Sequence, residues 1–360
     1  MGAGRAARRG RGSECLRDGR DDPGPRRLPC AADSGLPLPG PDGDWVRAVV
    51  TGGTGFLGRR LCVSLVMAGV GVTVISRDAY DSRKILGPAV SVGTGAGSGA
   101  GISVIAWDSP DVWHEAIQSA DAVFHLAGAS VAGERWTPEY KEKILTSRVT
   151  TTRTVVEAGP KVLISASAVG YYGDSGSSAV SESAPPGDDF LATVCVAWES
   201  EAERATTNGA RVCRMRIGNV LGTEGGALQA MLNPPNIPFS PWKLGLGGPM
   251  GSGRQWFPWV HVDDVIALML FAAFENESAR GPINVVAPEP VTNAQFSHAL
   301  GRILRRPSLV PVPGFVLRAM VGEFAEALLG GQKVVPEAAQ RLGYRFRFPE
   351  LTAALTDLLD

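Results

Sequence analysis

The sequence predicts an α/β fold, a doubly wound parallel sheet with a smaller C-terminal region, and three observations carry that expectation. Short apolar runs alternate with stretches of ten or more residues at helical spacing, which implies crossover connections and hence parallel strands. The first run leads into a glycine cluster that opens a helix, Thr51-Gly52-Gly53-Thr54-Gly55-Phe56-Leu57-Gly58. With 360 residues, 44% of them apolar, the chain is long enough for one large unit plus additions.

The elements follow in order. VRAVVTGG (46–53) is a first strand running into glycines, and the stretch to about Ala68 has helical spacing. VTVISR (72–77), SVIAWD (103–108) and DAVFHLAG (121–128) are the next three strands. A long polar helix is expected from Pro138 to Glu157, then a fifth strand, KVLISAS (161–167), and a sixth within ARVCRMRIGNVLG (210–222). The arrangement is Rossmann-like. Its body is expected over 45–222, with 259–288 returning to it, 223–258 as a substrate loop and 289–360 as a small helical C-terminal domain. Phe315 to Leu329 shows apolar residues at helical spacing, read first as core packing and second as a homodimer interface.

Three stretches interrupt the pattern. Residues 1–44 are rich in Arg, Gly, Pro and Asp, without periodicity, and read as a disordered arm or a transit segment. Residues 87–101 are a Gly/Ser-rich connection, and the four prolines of 233–241 rule out helix there.

A net charge of -1 argues against a nucleic-acid partner, whose phosphates require surplus Lys and Arg. No apolar run approaches the ~18 residues of a membrane span, so no membrane is expected. Five scattered cysteines without a CxxC pair, and four separated histidines, predict neither a metal site nor a disulfide framework. A reducing, cytoplasmic location follows, with chloroplast or mitochondrion as the alternative if the Arg-rich arm is a transit peptide.

Gly52, Gly55 and Gly58 have the spacing of a dinucleotide phosphate loop. Without Cβ atoms the chain turns tightly, a pyrophosphate approaches backbone N–H groups, and the helix N-terminus faces its charge. Thr54, Phe56 and Leu57 belong to the same loop. The second strand ends in Ser76-Arg77, a hydroxyl beside a guanidinium, which suits a ribose 2′-phosphate and selects NADP(H). Asp78 is the rival that would select NAD. Asp108, after the third strand, is placed to approach the adenine or to cap a loop.

Further blocks are HLAGAS (125–130), SASAVGYYG (165–173), GDDFLATVCVAWESEA (187–202), RIGNVLG (216–222) and LGLGGPMGSGRQWFPWVHVDDV (244–265). With VTNAQFSHALGRILRRP, GQKVVP and YRFRFPEL near the end, the chain over about 45–360 resembles the extended short-chain dehydrogenase/reductases. More narrowly it resembles their atypical NAD-dependent epimerase/dehydratase-like members, which carry a C-terminal domain of unassigned role.

The resemblance places Leu126, Ala127 and Gly128 under the cofactor and Val220 near the nicotinamide. It makes Arg148, and less directly Lys143, candidates for anchoring it; the two lie ~140° apart around a helix and do different jobs. Typical relatives use a Tyr-x-x-x-Lys pair followed by a Glu. Registering on Glu199 puts Leu191 and Cys195 at those positions, and neither can serve as acid or fixed cation. Ser167, Tyr171 and Tyr172 remain as catalytic candidates, each with loop packing as the plainer reading. Cys195 reads as a buried inert thiol before a redox-sensitive one, and Asp263 or Asp264 as a helix N-cap. Arg254 is a candidate for binding an anionic group of the substrate.

The resemblance implies an NADP(H)-dependent oxidoreductase or epimerase acting on a small carbonyl or sugar-like substrate. The missing pair keeps open an alternative, a non-catalytic NADPH-binding redox sensor or partner-binding module.

Overall fold

The apolar runs become strands because their residues alternate between two buried faces. The computed structural model describes residues 46–87, 101–234 and 238–360. The N-terminal arm, most of the Gly/Ser-rich connection and the centre of the proline-rich stretch lie outside the described residues.

The first half alternates strictly. It runs β1 (Arg47–Thr51), α1 (Phe56–Met67), β2 (Gly71–Ser76), α2 (Ala79–Leu86), β3 (Ile102–Ala106), α3 (Pro110–Ser119), β4 (Ala122–His125), α4 (Pro138–Glu157) and β5 (Val162–Ala168). A two-residue strand, β6 (Ala179–Val180), precedes α5 (Phe190–Glu203) and β7 (Arg211–Ile217). Thr137 and Asp189 cap α4 and α5 through their side chains, and Pro138 stands in the first turn of α4, where its missing N–H costs nothing.

The second half is more broken: β8 (Asn219–Leu221), α6 (Gly226–Leu232), β9 (Trp256–Phe257), β10 (Trp259–His261), α7 (Val262–Leu270), β11 (Gly281–Val285) and β12 (Val291–Thr292). Then follow α8 (Asn293–Ile303), α9 (Gly314–Val321), α10 (Phe324–Leu329), β13 (Lys333–Val334), α11 (Glu337–Arg341) and α12 (Leu351–Leu359). The expected sixth strand is divided at Gly218, where a Cβ would strike the Pro258 carbonyl, and β8 leaves the main sheet to pair with β10.

The main sheet has the order β11-β7-β5-β4-β1-β2-β3, every neighbour parallel. Helices α1 and α7 cover one face through Leu61, Leu65, Val265 and Met269. Helices α3, α4 and α5 cover the other through Ile117, Val155 and Ala202. Strand order reverses between β1 and β4, which opens a crevice at their carboxyl ends, the usual ligand position in such sheets. No described helix is long and apolar enough to cross a membrane.

A second core joins Leu221, Leu228 of α6, Trp242, Phe257, Phe296 of α8 and Leu355 of α12. The stretch read as a substrate loop thus contributes a helix and two large aromatic residues to the packing of the C-terminal region. The helical signal over 315–329 breaks at Gly322 into α9 and α10, and Phe315 is 73% exposed rather than buried in the core.

Candidate functional site

At the crevice, Gly52 takes φ +72°, and a Cβ there would lie 2.8 Å from the Leu126 carbonyl carbon and 2.9 Å from the Ala127 nitrogen. The loop after β1 and the loop after β4 touch because Gly52 is glycine. A Cβ on Gly58 would be driven into the Gly52 carbonyl and the Gly53 Cα, so the first turn of α1 lies directly on the loop. Gly55 differs, since its Cβ would meet nothing closer than the Gly52 oxygen at 3.3 Å. It is the N-cap of α1 and supplies no side-chain cap, and the first turn carries no acid. The opening N–H groups of α1, including those of Phe56, Leu57 and Gly58, are therefore available to an anion. The Thr54 hydroxyl makes no hydrogen bond among the described residues.

The adenosine side separates the two rival residues. Asp78 caps α2, its carboxylate accepting the Asp81 N–H at 2.9 Å. Ser76 is tied to Ser82 at 2.7 Å. Arg77 is exposed and has no hydrogen bond or ion pair among the described residues. Asp108 is exposed beside Ser109, the N-cap of α3.

On the side expected to take the nicotinamide, Arg148 lies along Gly128, where a Cβ would come within 3.2 Å of its side chain. It stacks 5.0 Å over Trp198, donates to the Ile144 carbonyl at 2.9 Å, and has no carboxylate partner among the described residues. Burial lowers its pKa. Lys143 points elsewhere, exposed and paired with Glu134 at 3.2 Å. Five residues from Arg148 along α4, it lies on a different face of the helix. Val220 sits in β8, half-buried, pairing with Val260. Phe56 packs its ring on Gly222, Gly225 and Gly226, so the phosphate loop and the segment after β8 are held together. Asn219, in β8, keeps a half-buried side chain without a hydrogen bond among the described residues. Nothing in the sequence singled it out except its place as a polar residue between Gly218 and the apolar Val220.

Helix α5 carries the three residues of the register set on Glu199. Leu191, Cys195 and Glu199 form one stripe along it, and all three face the end of β5. Leu191 lies against Gly170, the Cys195 thiol is 3.8 Å from the Ala168 carbonyl, and Glu199 accepts from Ser167 at 2.7 Å. Burial pushes the Cys195 thiol up to about 12, with the Glu199 charge adding to it, so the sulfur stays protonated and inert.

Two of the three hydroxyl candidates, Ser167 and Tyr172, are drawn into a hydrogen-bond network, and Tyr171 joins it through its ring alone. Ser167 is 3% exposed and donates to Glu199, which also receives two hydrogen bonds from Arg216 at 2.8 and 2.9 Å. Tyr172 donates to Asn284 at 2.6 Å and accepts from Arg216 at 2.9 Å, and burial pushes it up to about 12. The Arg216 guanidinium lies 3.5 Å over the Tyr171 ring. Ser167, read as the hydroxyl that orients a substrate carbonyl, and Tyr172, read as a substitute acid, tie β5, α5, β7 and β11 together through these bonds.

A second correction concerns FPWVHVDDV. The N-cap of α7 is His261, whose Nδ1 accepts from the Asp263 N–H, rather than either aspartate. Asp263 binds Arg60 at 2.8 Å, while Asp264, 1% exposed, accepts from the Arg347 and Phe348 N–H groups and from Tyr344. Burial raises the pKa of Asp264 and lowers that of His261. His261, Asp263 and Asp357 bring ligand atoms within 4.8 Å. A His that accepts at Nδ1 carries its proton on Nε2, so that nitrogen has no lone pair for a metal.

Helix α10 reaches the same region. Phe324 lies 5.5 Å from Trp136, which is 5.0 Å from Phe190, the residue before Leu191. Arg135 binds the Ala319 carbonyl, Lys141 pairs with Glu323, and Gln255 donates to the Leu328 carbonyl. The α9–α10 hairpin therefore bridges the loop after β4 and the loop before β9. Arg254, in the latter, is exposed.

The sequence profile of the NAD dependent epimerase/dehydratase family matches residues 48–287, and that of a domain of unknown function (DUF1731) matches 312–358. The epimerase family protein SDR39U1 homolog, chloroplastic, of Arabidopsis thaliana is 42% identical over 318 residues, 86% of each chain. The epimerase family protein SDR39U1 of Bos taurus is 37% identical over 325 residues, 87% of this chain and 100% of its own. The crystal structure of human epimerase family protein SDR39U1 (isoform 2) with NADPH is similar with TM-score 0.71 and 34% identity, covering 87% of this chain and 99% of that one. UDP-glucose 4-epimerase of Thermotoga maritima, 20% identical with TM-score 0.66, shares the fold.

Proposed function

Because the chain belongs to the NAD dependent epimerase/dehydratase family, we propose that it binds NADP(H) at the β1/β4 crevice and acts as an oxidoreductase or epimerase on a small carbonyl or sugar-like substrate. One observation carries the choice of cofactor. At the end of β2, Asp78 is engaged as a helix cap while Arg77 stands free, so the group able to meet a 2′-phosphate is available and its rival is not. The human relative, whose structure holds NADPH, supports the same reading. A chloroplast location is the one that the name of the Arabidopsis relative supports.

The residues present fit the cofactor. The uncapped start of α1 and the open side of Gly55 accept a pyrophosphate, and Gly128 leaves room for Arg148 to lie along the loop after β4. When bound, the nicotinamide gives or takes a hydride. Around it the chain supplies a fixed positive charge from Arg148, apolar contact from Val220 and Leu191, and a free amide from Asn219. The α9–α10 hairpin excludes water from the Trp136–Phe190 side.

A second reading is favoured by Leu191 and Cys195. With neither an acid nor a lysine on the α5 stripe, the protein serves as a non-catalytic NADPH-binding module. Turnover with a panel of carbonyls and nucleotide sugars separates the two readings.

The test of the cofactor site compares NADPH and NADH on the wild type and on Arg77→Glu. NADPH affinity is expected to fall on the order of 100-fold, the worth of two charge-assisted hydrogen bonds, with little change for NADH. Equal losses for both would remove Arg77 from the site.

A further inference from the structure

Two segments of this chain carry no acid at all: residues 225–262, between Glu224 and Asp263, and residues 290–322, between Glu289 and Glu323. The fold lays them side by side. Arg306 Nε donates to the Lys243 carbonyl at 2.8 Å, a Cβ on Gly245 would lie 3.2 Å from Pro307, Val312 N–H donates to the Pro249 carbonyl, and Met250 bridges to Val312. The result is a face of Lys243, Arg302, Arg305 and Arg306, all exposed and none in an ion pair among the described residues. Between these cations stand exposed apolar side chains: Leu244 at 61%, Leu246 at 52%, Leu309 at 74% and Val310 at 48% exposure.

From this face we infer a peripheral docking surface for an anionic lipid membrane. Cations alone would suit any polyanion, and apolar side chains alone any protein. Aliphatic side chains presented among unpaired Lys and Arg suit a surface that offers acyl chains beneath a layer of negative headgroups. The backbone supports the assignment independently. Arg305 is the one non-glycine residue with positive φ among those described, at +54°, just past the end of α8. Glycine or asparagine ordinarily fills that position, because a side chain there is strained. The chain keeps an arginine, whose side chain stays exposed beside Arg302 and Arg306. A charge of -1 for the whole chain and the lack of a membrane-length helix are both compatible with docking, which uses one face and needs no span.

The test is co-sedimentation of the full chain with vesicles of phosphatidylcholine alone or with about a third phosphatidylglycerol. Binding is expected only to the anionic vesicles and is expected to weaken with salt. Arg305→Gly removes a charge and relieves backbone strain, so it keeps or raises the melting temperature. Combined with Arg306→Gln it should weaken vesicle binding roughly 30-fold, about fivefold for each charge near an anionic surface. Leu309→Ser should weaken it too without altering charge. Three results would overturn the proposal: no binding to anionic vesicles, binding that the Arg variants leave unchanged, or a Leu309→Ser protein that binds vesicles like the wild type. The last result, with equal retention of duplex DNA, would point to a charge-only polyanion surface.

Discussion

His125, in β4, is held between two threonines, and its protonation state follows from their hydrogen bonds. Thr152 donates its hydroxyl to the Arg148 carbonyl at 2.7 Å, so it accepts from His125 Nε2 at 2.9 Å. His125 Nδ1 then accepts from Thr51 at 2.7 Å. Complete burial keeps the ring neutral and lowers its pKa from 6.5 to about 4. A base whose folded pKa lies below its unfolded value binds fewer protons when folded. Its stabilising effect is whole above pH 6.5 and is lost as pH falls toward 4, by about 3 kcal/mol. Urea unfolding across that range should show the decline, and His125→Gln should flatten it; an unchanged slope in the variant would contradict the assignment. At the same scale Gly58→Ala should abolish dinucleotide binding, because the added methyl group would strike the Gly52 carbonyl.

Helix α5 shows at the next scale why the usual pair is not simply restored by mutation. Arg148, stacked 5.0 Å over Trp198 of α5, brings a positive charge from α4 to the helix that carries Cys195, and its charge lowers the thiol pKa against the effect of burial. Cys195→Lys would place two cations together in a buried setting and is expected to cost about 1–3 kcal/mol. Arg148→Gln in the same protein should recover most of that loss. A double-mutant cycle measured by chemical denaturation checks it, and additive effects would mean that the two side chains do not meet. Asp264 makes a comparable prediction for the C-terminal segment. Asp264→Asn replaces an acceptor of two N–H groups with one oxygen and one competing donor. Faster hydrogen exchange at Arg347 and Phe348 is expected, with unchanged exchange as the contrary result.

For the whole molecule, the sequence predicted the parallel sheet and the glycine turn that opens α1, because periodicity and glycine spacing are local signals. The α4 boundaries, Pro138 to Glu157, were legible for the same reason, a proline at the first turn and helical spacing throughout. What was not legible depended on partners far along the chain. Tyr172 reads as an acid in a loop and Ser167 as a hydroxyl at a strand end, and only with Asn284, Arg216 and Glu199 in place are they ties between elements. Asp264 looked like a cap until residues 344–348 folded back onto it. The acid-free face arises because two distant segments share one surface. At this scale the protein is a parallel sheet with a crevice at the β1/β4 reversal, and a second core that joins α6, α8 and α12.

The central claim is that the crevice between β1 and β4 holds NADP(H), selected by Arg77. Titration calorimetry of the wild-type chain with NADPH and then with NADH tests it most directly. One NADPH per chain is expected, with an NADH affinity weaker on the order of 100-fold. Equal affinities would contradict the role of Arg77, and no heat from either nucleotide would contradict the site itself.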